Sequence, residues 1–350
     1  MPTLYVTEQG TTVRLSGGSL HVTRDEDPDH GGSLPPARTV LMDVEPHRLE
    51  VIVLVGRVHI TRDAVALCLE RGIGVAWLAW NGRLLGRLVP EGARSGDLRL
   101  AQYRLALDPA ASGEWARLCV AAKVANAAAV LRGIRSNQPG LAGYSEALRE
   151  LAALPERLAA CRDGAERLGV EGLASRIYFG VLGAGFRGEI GFSGRQRRPP
   201  PDPANALLSF GYVLFGNLIG AAVEARGLDP AVGFLHALRP GRASLALDLL
   251  EEFRHPVVDR FVMRTLNLRM LRPEHFEPDP EEHGGVRLTR EGLKLFFRSW
   301  GEHLDQPLPD AEAGAEGGEF TPVALLRRQV DRVAMALRTG EPYRPFLLRR

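Results

Sequence analysis

The chain has 350 residues, of which 45% are hydrophobic and 25% charged, values typical of a soluble protein with a sizeable core. This length favours two domains. No run of about 18 apolar residues occurs and the first residues lack a signal-peptide pattern, so we expect no membrane span and no secretion signal. The formal net charge of +2 does not by itself indicate a nucleic-acid-binding protein.

Cysteine and arginine usage adds two expectations. The cysteines, Cys68, Cys119 and Cys161, are far apart and lie in helix-like apolar stretches, so we expect buried thiols in a reducing cytosol. Only Lys123 and Lys294 are lysines, and the other 42 of the 44 basic residues are arginine. This bias has two interpretations, an effect of genome base composition and a preference for the bidentate phosphate contacts that arginine makes.

Residues 1 to about 90 have the alternation and the turn residues of β-strands. The predicted strands are 12–16, 19–23, 51–55, 58–61, 74–80 and 83–88. Gly17-Gly18 is a hairpin signal between the first two strands, and Asn81-Gly82 is one between the last two. A short helix is expected over 62–71, before Gly72, and a polar loop over 25–36.

From about Leu98 the hydrophobic period changes to that of helices. Helices are predicted over 97–107, 113–134, 143–162, 164–180, 203–226, 244–254, 256–271, 288–304 and 321–339. Two interruptions, 183–202 and 305–318, are rich in glycine and proline and typical of loops. The order of elements predicts an α+β fold of two domains, a small β-rich domain over 1–95 and a larger all-α domain over 96–350.

Acidic groups and one histidine lie in otherwise apolar surroundings. They are Glu171, His236, Asp248, Glu251 and Glu252. A lone carboxylate is costly to bury there, whereas two or three carboxylates and an imidazole can share a divalent cation such as Mg²⁺ or Mn²⁺. Asp248 and Glu251 are three residues apart on a predicted helix, so they lie on one face. This mixture indicates metal-assisted phosphoryl chemistry.

Each of these groups also has a structural interpretation. The acids of 248–252 can form a solvated helix edge, and His236 can be a hydrogen-bonded structural residue. Glu171 can stabilise a helix N-terminus by capping and by its charge. The apolar setting that they share favours the metal site over three separate structural roles.

Arginines flank the candidate site in sequence. Arg195, Arg197 and Arg198 precede a run of prolines, and Arg239 and Arg242 follow the candidate histidine. Arginines beside conformationally restricted prolines can bind phosphates with little ordering cost, so these five are candidate DNA contacts. The alternative interpretation is a solvated loop.

A series of motifs follows the chain from end to end. It consists of Ile52–Ile60, Gly72–Trp77, Gly169–Gly172, Phe192–Tyr212, Gly233–His236, Arg239–Arg254 and Gly285–Lys294. This ordered series resembles the CRISPR-associated integrase, the metal-dependent endonuclease of spacer acquisition. The resemblance covers nearly the whole chain.

The resemblance implies a β-rich N-terminal domain that dimerises and an α-helical C-terminal catalytic domain. It implies that Glu171, His236 and Glu251 ligate Mn²⁺ or Mg²⁺, with Glu251 standing where some relatives have aspartate. It also implies that Asp248 is an active-site acid, either beside the ligands or as an alternative ligand. These four residues are the predicted catalytic residues.

The resemblance further implies a reaction and partners. The 3′-hydroxyl of a foreign DNA fragment would attack a phosphodiester at the boundary of a CRISPR repeat, in the cytoplasm and without ATP. Besides DNA, the implied partners are a second copy of the chain and a small second adaptation protein. The competing hypothesis, from another functional class, is a DNA-binding architectural subunit whose metal site is impaired or structural.

The N-terminal strands themselves predict a partner surface. Strands 51–55 and 75–80 carry more apolar surface than a sheet of about 90 residues readily hides. A second copy related by a two-fold axis would cover the remainder. We therefore expect a homodimer held mainly by residues 1–90.

Overall fold

The computed structural model describes residues 3–25, 38–80, 82–88, 95–188, 190–280, 282–310 and 319–349. The chain divides into two compact units, Met1–Arg94 and Ser95–Arg350. The first unit is β-rich and the second is mostly helical, which confirms the predicted α+β class. Two pairs of short strands in the second unit make it mostly, and not wholly, α-helical. The dimerising and catalytic roles of the two units stay predictions.

Two four-stranded sheets and a helix form the described part of the first unit. In chain order the elements are β1 (Thr3–Val6), β2 (Thr11–Ser16), β3 (Ser19–Asp25), β4 (Arg38–Val44), β5 (Val51–Val55), β6 (His59–Ile60), α1 (Arg62–Glu70), β7 (Gly74–Leu78) and β8 (Leu84–Leu88). One sheet has the order β1-β5-β7-β8 and the other the order β4-β3-β2-β6. The core of the unit contains buried side chains such as Val13, Leu20, Ile52, Leu54 and Cys68.

The predicted β2–β3 hairpin is confirmed. Ser16 pairs with Ser19, so Gly17 and Gly18 form a two-residue turn with φ of +59° and +86°. A turn with positive φ at both central residues matches the twist of the strands and favours glycine. The other predicted turn is described only at Gly82, and Asn81 lies outside the described residues, as does most of the predicted loop 25–36.

Three consecutive apolar side chains on β4 are exposed in the first unit. The side chains of Ile52–Val55 on β5 are buried, so the expectation that this strand leaves apolar surface uncovered is wrong. Trp80, after β7, is 41% exposed. On β4, which no sequence pattern predicted, Val40, Leu41 and Met42 are 51%, 40% and 45% exposed. β4 stands at the edge of its sheet, where a strand has unpaired backbone groups on its outer side.

The second unit contains a helix at each of the nine predicted places. In chain order its elements are α2 (Gly96–Leu107), α3 (Pro109–Asn137), α4 (Tyr144–Ala159), α5 (Gly164–Leu182), α6 (Pro203–Ala225), α7 (Ser244–Phe253), α8 (Arg260–Asn267), β9 (Phe276–Pro278), β10 (Val286–Leu288), α9 (Arg290–Leu304), β11 (Leu308–Pro309), β12 (Glu319–Phe320) and α10 (Pro322–Thr339). β9 pairs with β10 and β11 with β12, both antiparallel.

Aspartate caps set where the long helices begin. The side chain of Asp108 accepts hydrogen bonds from the backbone N–H groups of Ala110 and Ala111, at 2.9 and 3.1 Å. The side chain of Asp202 accepts one from Asn205 at 2.8 Å. A proline follows each cap at the first helical position, where its missing N–H is not needed. α3 therefore begins four residues earlier than hydrophobic periodicity alone predicts.

A π-helical turn, Arg254–Asp259, joins α7 to α8. The single helix predicted over 256–271 is wrong at its start for this reason. Pro256 has no N–H to offer the carbonyl of Glu252, and that carbonyl accepts a 2.8 Å hydrogen bond from Nδ2 of Asn126 instead. The wider turn keeps the chain helical while this tertiary contact replaces the missing backbone bond.

α6 is long and apolar enough to cross a membrane, by length and composition alone, and among the described residues it is the one such helix. Just over half of its apolar stretch, 56%, is buried inside the protein. Phe215 and Ile219 on this helix are wholly buried. Burial in the core of the second unit accounts for its apolar composition.

The cysteine prediction holds for two of the three thiols. Cys68 and Cys119 are buried, and burial raises the pKa of Cys68 to about 11. Cys161, one residue beyond the turn that ends α4, is only half-buried, so the expectation for this residue is wrong. All three are free thiols.

Candidate functional site

Three helices and one loop of the second unit bring the predicted ligands together. α5 carries Glu171, and α7 carries Asp248 and Glu251 on one face. His236 lies in the loop that leads into α7. α3 adds Lys123, which the sequence pattern did not single out.

Lys123 lies between the carboxylates of Glu171 and Glu251. Its Nζ donates to Oε1 of Glu171 and lies 2.7 Å from Oε2 of Glu251. The side chains of Lys123 and Glu251 are each 3% exposed, whereas that of Glu171 is 20% exposed. Ser175, one turn further along α5, donates a 3.0 Å hydrogen bond to the same oxygen of Glu171. The two acids on different helices therefore meet at one cation.

Asp248 orients His236. One carboxylate oxygen of Asp248 accepts hydrogen bonds from the backbone N–H groups of Phe234 and Leu235, at 2.6 and 3.0 Å. The other accepts the N–H of His236 at 2.9 Å and lies 2.7 Å from its ring Nδ1. Because a carboxylate accepts hydrogen bonds, this pairing favours a proton on Nδ1 of His236.

Gly233 permits this close approach of loop and helix. A Cβ at this position would lie 2.5 Å from Oδ2 of Asp248 and 2.8 Å from the carbonyl carbon of Ser244. The second neighbour is backbone and cannot rotate away. Only glycine lets the loop close on the carboxylate, which explains its place three residues before the histidine.

Two cations keep Glu251 ionised. Burial raises the pKa of this carboxyl, but the opposing effects of Arg254 and Lys123 hold the pKa well below its usual range. Nε of Arg254 donates a 2.9 Å hydrogen bond to Oε2, and its guanidinium lies 4.5 Å from the centroid of the Tyr212 ring. Glu251 is therefore a buried anion that can bind a metal ion or another cation.

The chemistry of this donor set fits a divalent cation. Glu171 and Glu251 supply oxygens that converge on one point, and Nε2 of His236 lies 4.0 Å from Oε1 of Glu251. The commitment of Nδ1 to Asp248 is the arrangement that metal-ligating histidines require. Within the described residues, however, no three His, Cys, Asp or Glu side chains are arranged to hold a metal ion. Lys123 stands between the two carboxylates instead.

Glu252 lies outside this cluster. Its Oε1 accepts a 2.5 Å hydrogen bond from the phenol of Tyr343, and its Oε2 accepts hydrogen bonds from the N–H of Phe346 and Nε2 of Gln329, at 2.7 and 3.0 Å. Burial raises the pKa of Glu252 to about 7, against the effect of these donors. This acid holds the C-terminal segment 340–349 against α7, so its inclusion with Asp248 and Glu251 in one predicted acidic group is wrong.

The Arg195 side chain connects its loop to α6. Its guanidinium donates to the carbonyl of Gln196 at 2.7 Å, to Oδ1 of Asn205 at 2.9 Å and to Oγ of Ser209 at 2.9 Å. These bonds fix the loop on the start of α6. The structure thus favours a structural role for Arg195, while its role as a DNA contact stays a prediction.

The other candidate DNA contacts differ in exposure. Arg197, Arg198 and Arg239 are exposed, and Arg242 is half-buried. Leu238, next to Arg239, is 71% exposed. Their contact with DNA stays a prediction.

Sequence reasoning missed Lys123 and Arg254, the two cations of the cluster. A signal for Lys123 was present, since a lysine in a helix of alanine and valine is unusual in a chain with only two lysines. Arg254 follows Glu251 by three residues, the spacing of a helical ion pair. The signal for Lys123 does not identify its partners Glu171 and Glu251, which lie on other helices.

Comparisons with known proteins agree with the order of motifs. Residues 4–302 match the family described as CRISPR associated protein Cas1. A relative from Rhodospirillum rubrum, named CRISPR-associated endonuclease Cas1 2, is 36% identical over 316 residues, which cover 87% of this chain and 86% of the relative.

Two solved structures share the fold. A casposase bound to integration product has a TM-score of 0.81 at 24% identity, over 99% of this chain and 93% of that chain. A Cas6-RT-Cas1–Cas2 complex has a TM-score of 0.74 at 21% identity, over 97% of this chain and 35% of that chain. The family match over most of the chain, together with the 36% identical relative, shows that this protein belongs to the Cas1 family of CRISPR-associated proteins.

Proposed function

We propose that this Cas1 protein is a metal-dependent DNA integrase and endonuclease. It would insert foreign DNA fragments into a CRISPR array by attack of a 3′-hydroxyl on a phosphodiester at the repeat boundary. The observation that carries the proposal is the convergence of Glu171, Glu251 and His236, the last oriented by Asp248, in a protein whose 36% identical relative is named an endonuclease.

The residues that would hold the cation are Glu171, Glu251 and Nε2 of His236, and Mg²⁺ or Mn²⁺ suits two carboxylates and one imidazole. When bound, such an ion polarises the phosphodiester and stabilises charge on its oxygens. The proposal gives each side chain a distinct task. Asp248 fixes the tautomer of His236, and Arg254 keeps Glu251 ionised at the centre of the site.

DNA would reach the site across the exposed arginines. Arg197, Arg198 and Arg239 can each neutralise a phosphate without breaking an interior contact, because their side chains are exposed. Phosphate contacts position DNA and carry no sequence information. The proposal therefore leaves recognition of the repeat to other parts of the assembly.

Partners and location belong to the same proposal. A solved structural neighbour is a complex that contains Cas1 and Cas2, and a small second adaptation protein of that kind is the proposed partner here. A second copy of the chain, docked through the first unit, is the other proposed partner. The proposed location is the cytoplasm.

One observation favours a second candidate, an architectural DNA-binding subunit with an impaired or structural metal site. Lys123 occupies the point where the carboxylates converge, and no three-ligand group is found within the described residues. A lysine that never leaves would keep a divalent cation out. Both candidates bind branched DNA, and they differ in whether a metal-dependent product forms.

Strand transfer on branched DNA separates the two. The full-length protein is incubated with a labelled fragment and a repeat-containing duplex, with Mn²⁺ or with a chelator. We expect a joined product only with Mn²⁺, and none from Glu171→Gln, His236→Asn or Glu251→Gln. Glu150→Gln, an exposed acid on α4, is the matched control and should keep full activity. Full Mn²⁺-dependent activity of Glu171→Gln would refute the assignment, and DNA binding without any product would favour the architectural subunit.

A further inference from the structure

The ammonium of Lys123 occupies the position between Glu171 and Glu251 that a bound metal ion would take. Lys123 reaches from α3 to Glu171 on α5 and Glu251 on α7, and its ammonium is almost fully buried. Without a positive charge at this point, two carboxylates from different helices would face each other in the interior. Like charges at such short range repel strongly where water is excluded.

We propose that Lys123 is a displaceable counter-cation, which holds Glu171 and Glu251 together before metal arrives and must withdraw when a divalent cation binds. The proposal rests on the metal-dependent function proposed above and adds a competition step to it. It makes Lys123 a positioning residue, since it would act on the ligands and not on the DNA.

The contacts leave no room for both cations. Nζ of Lys123 lies 2.7 Å from Oε2 of Glu251, and it also donates to Oε1 of Glu171. An ion held by the same oxygens would stand beside the ammonium, and the repulsion between a single and a double positive charge at such short range is large at any dielectric constant of a protein interior. Binding of the metal to both acids therefore requires the ammonium to move.

Lysine suits this exchange better than arginine. Its charge sits at the end of a flexible four-carbon stem, whereas the planar guanidinium of arginine pairs with carboxylates in a fixed geometry. The cluster uses both types. Arg254 is anchored between Glu251 and the ring of Tyr212, and Lys123 contacts Glu171, whose side chain is partly exposed. When a metal ion binds, Arg254 would stay in place and the flexible Lys123 would withdraw.

The chain offers an unusually direct test because it has only two lysines, Lys123 and Lys294. Full-length protein labelled with ¹³C-lysine gives two sets of side-chain signals, and the set missing from Lys123→Met is that of Lys123. During a titration with Mg²⁺ we expect the Lys123 signals to shift as the site saturates, while those of Lys294 on α9 stay in place. Unchanged Lys123 signals in a saturated site would overturn the proposal.

Metal affinity gives an independent readout. Lys123→Met keeps most of the unbranched side chain and removes its charge, so Mn²⁺ should bind about tenfold tighter or more, as measured by calorimetry at pH 8. Lys294→Met is the matched control and should bind as the wild type does. Metal-free Lys123→Met should melt at a lower temperature than the wild type and show a larger rise in melting temperature when Mn²⁺ is added.

The outcomes separate this inference from the function on which it rests. Glu171→Gln should bind Mn²⁺ more weakly than the wild type if the metal site is correctly assigned. If that holds but Lys123→Met binds no tighter than the wild type, the counter-cation proposal fails and the metal site stands. If the wild type, Glu171→Gln and Lys123→Met all fail to bind, the proposed metal site fails and this inference falls with it.

Discussion

The phenol of Tyr343 donates a 2.5 Å hydrogen bond to Glu252, the residue next to the proposed ligand Glu251. The same ring stacks on Trp115, with 4.5 Å between the centroids, and Trp115 packs on Phe234 at 4.7 Å. Phe234 lies in the loop whose N–H groups bind Asp248. The C-terminal segment thus supports both α7 and the histidine loop.

Removal of the Tyr343 hydroxyl tests whether the C-terminal segment supports α7. Tyr343→Phe keeps the stacked ring and leaves a buried acid without one donor, so the free energy of unfolding should fall by about 1–3 kcal/mol. Urea denaturation at pH 7 measures the change. Ser193→Ala, which removes the hydroxyl of an exposed residue in the loop before α6, is the control. A destabilisation as small as that of the control would mean that the segment is not held by Glu252.

Asp248 should act through His236. Asp248→Asn can still accept some backbone N–H bonds but no longer favours the tautomer with the proton on Nδ1. We expect strand transfer and Mn²⁺ affinity to fall by about 10- to 100-fold, the usual effect of losing the group that orients a metal-binding histidine. Calorimetry and product yield measure the two effects. An unchanged affinity for Mn²⁺ would show that the imidazole orientation does not depend on this carboxylate.

The exposed residues Arg197 and Arg198 should have a different role from the half-buried Arg195. If Arg197 and Arg198 bind phosphates, their replacement by Ala should reduce the slope of log affinity against log salt by about 0.9 for each phosphate that is no longer neutralised. Fluorescence anisotropy over a range of salt concentrations measures the slope. Arg195→Ala should instead lower stability, because its bonds to Asn205 and Ser209 hold the loop on α6. A slope that stays the same in the double variant would assign Arg197 and Arg198 to solvent.

His303 should make stability depend on pH. Burial lowers its pKa to about 4, and its Nε2 hydrogen-bonds the carbonyl of Val257. Below about pH 6.5 the unfolded chain therefore binds a proton that the folded chain refuses, and stability falls as the pH drops toward 4. Between pH 7 and 5 the His303 contribution to the free energy of unfolding should fall by about 2 kcal/mol. Glu252, whose pKa is raised to about 7, should oppose this change over the same range, so the contribution of His303 is the difference between the wild type and a variant that lacks the imidazole.

Urea denaturation of His303→Gln at pH 7 and pH 5 measures this contribution, which the variant should lack. His47→Gln, at an exposed position of the first unit, is the matched control and should change with pH as the wild type does. If the free energies of unfolding of His303→Gln and the wild type change equally between pH 7 and 5, His303 does not contribute to the pH dependence.

The homodimer prediction now has a surface to test. The apolar side chains of β4 are exposed at a sheet edge, and a two-fold copy would cover them in a self-complementary contact. Met42→Glu should give a monomer in light scattering at micromolar concentration, and so should a chain truncated to residues 96–350. Leu107→Glu, also exposed but in the second unit, should leave the dimer intact. A monomeric wild type, or a tight dimer of the truncated chain, would refute the prediction.

Local sequence was sufficient to predict the structure wherever residues adjacent in the chain determine the conformation. Gly17-Gly18 set the β2–β3 turn because both residues need positive φ. Helical periodicity located the nine α-helices of the described part of the second unit, since an apolar stripe must be buried whatever it packs against. The ordered motifs also predicted the family.

The acidic residues of α7 show where such reasoning ends. Asp248, Glu251 and Glu252 are close in sequence, but the helix turns Glu252 toward Tyr343 in the C-terminal segment, 91 residues further along the chain. Helical periodicity places Glu252 beside the face that carries Asp248 and Glu251. The role of Glu252 depends on the residues that pack against it, which periodicity does not give.

The partner of a buried charge depends on contacts between distant parts of the chain. Lys123 and Glu171 are 48 residues apart, and nothing in either neighbourhood specifies the other. The sequence by itself determined the elements, their order and the candidate ligands, because these depend on local propensity and periodicity. The tertiary structure alone decided that a lysine stands between two ligands and that β4, not β5, exposes apolar surface, because burial is a property of packed neighbours.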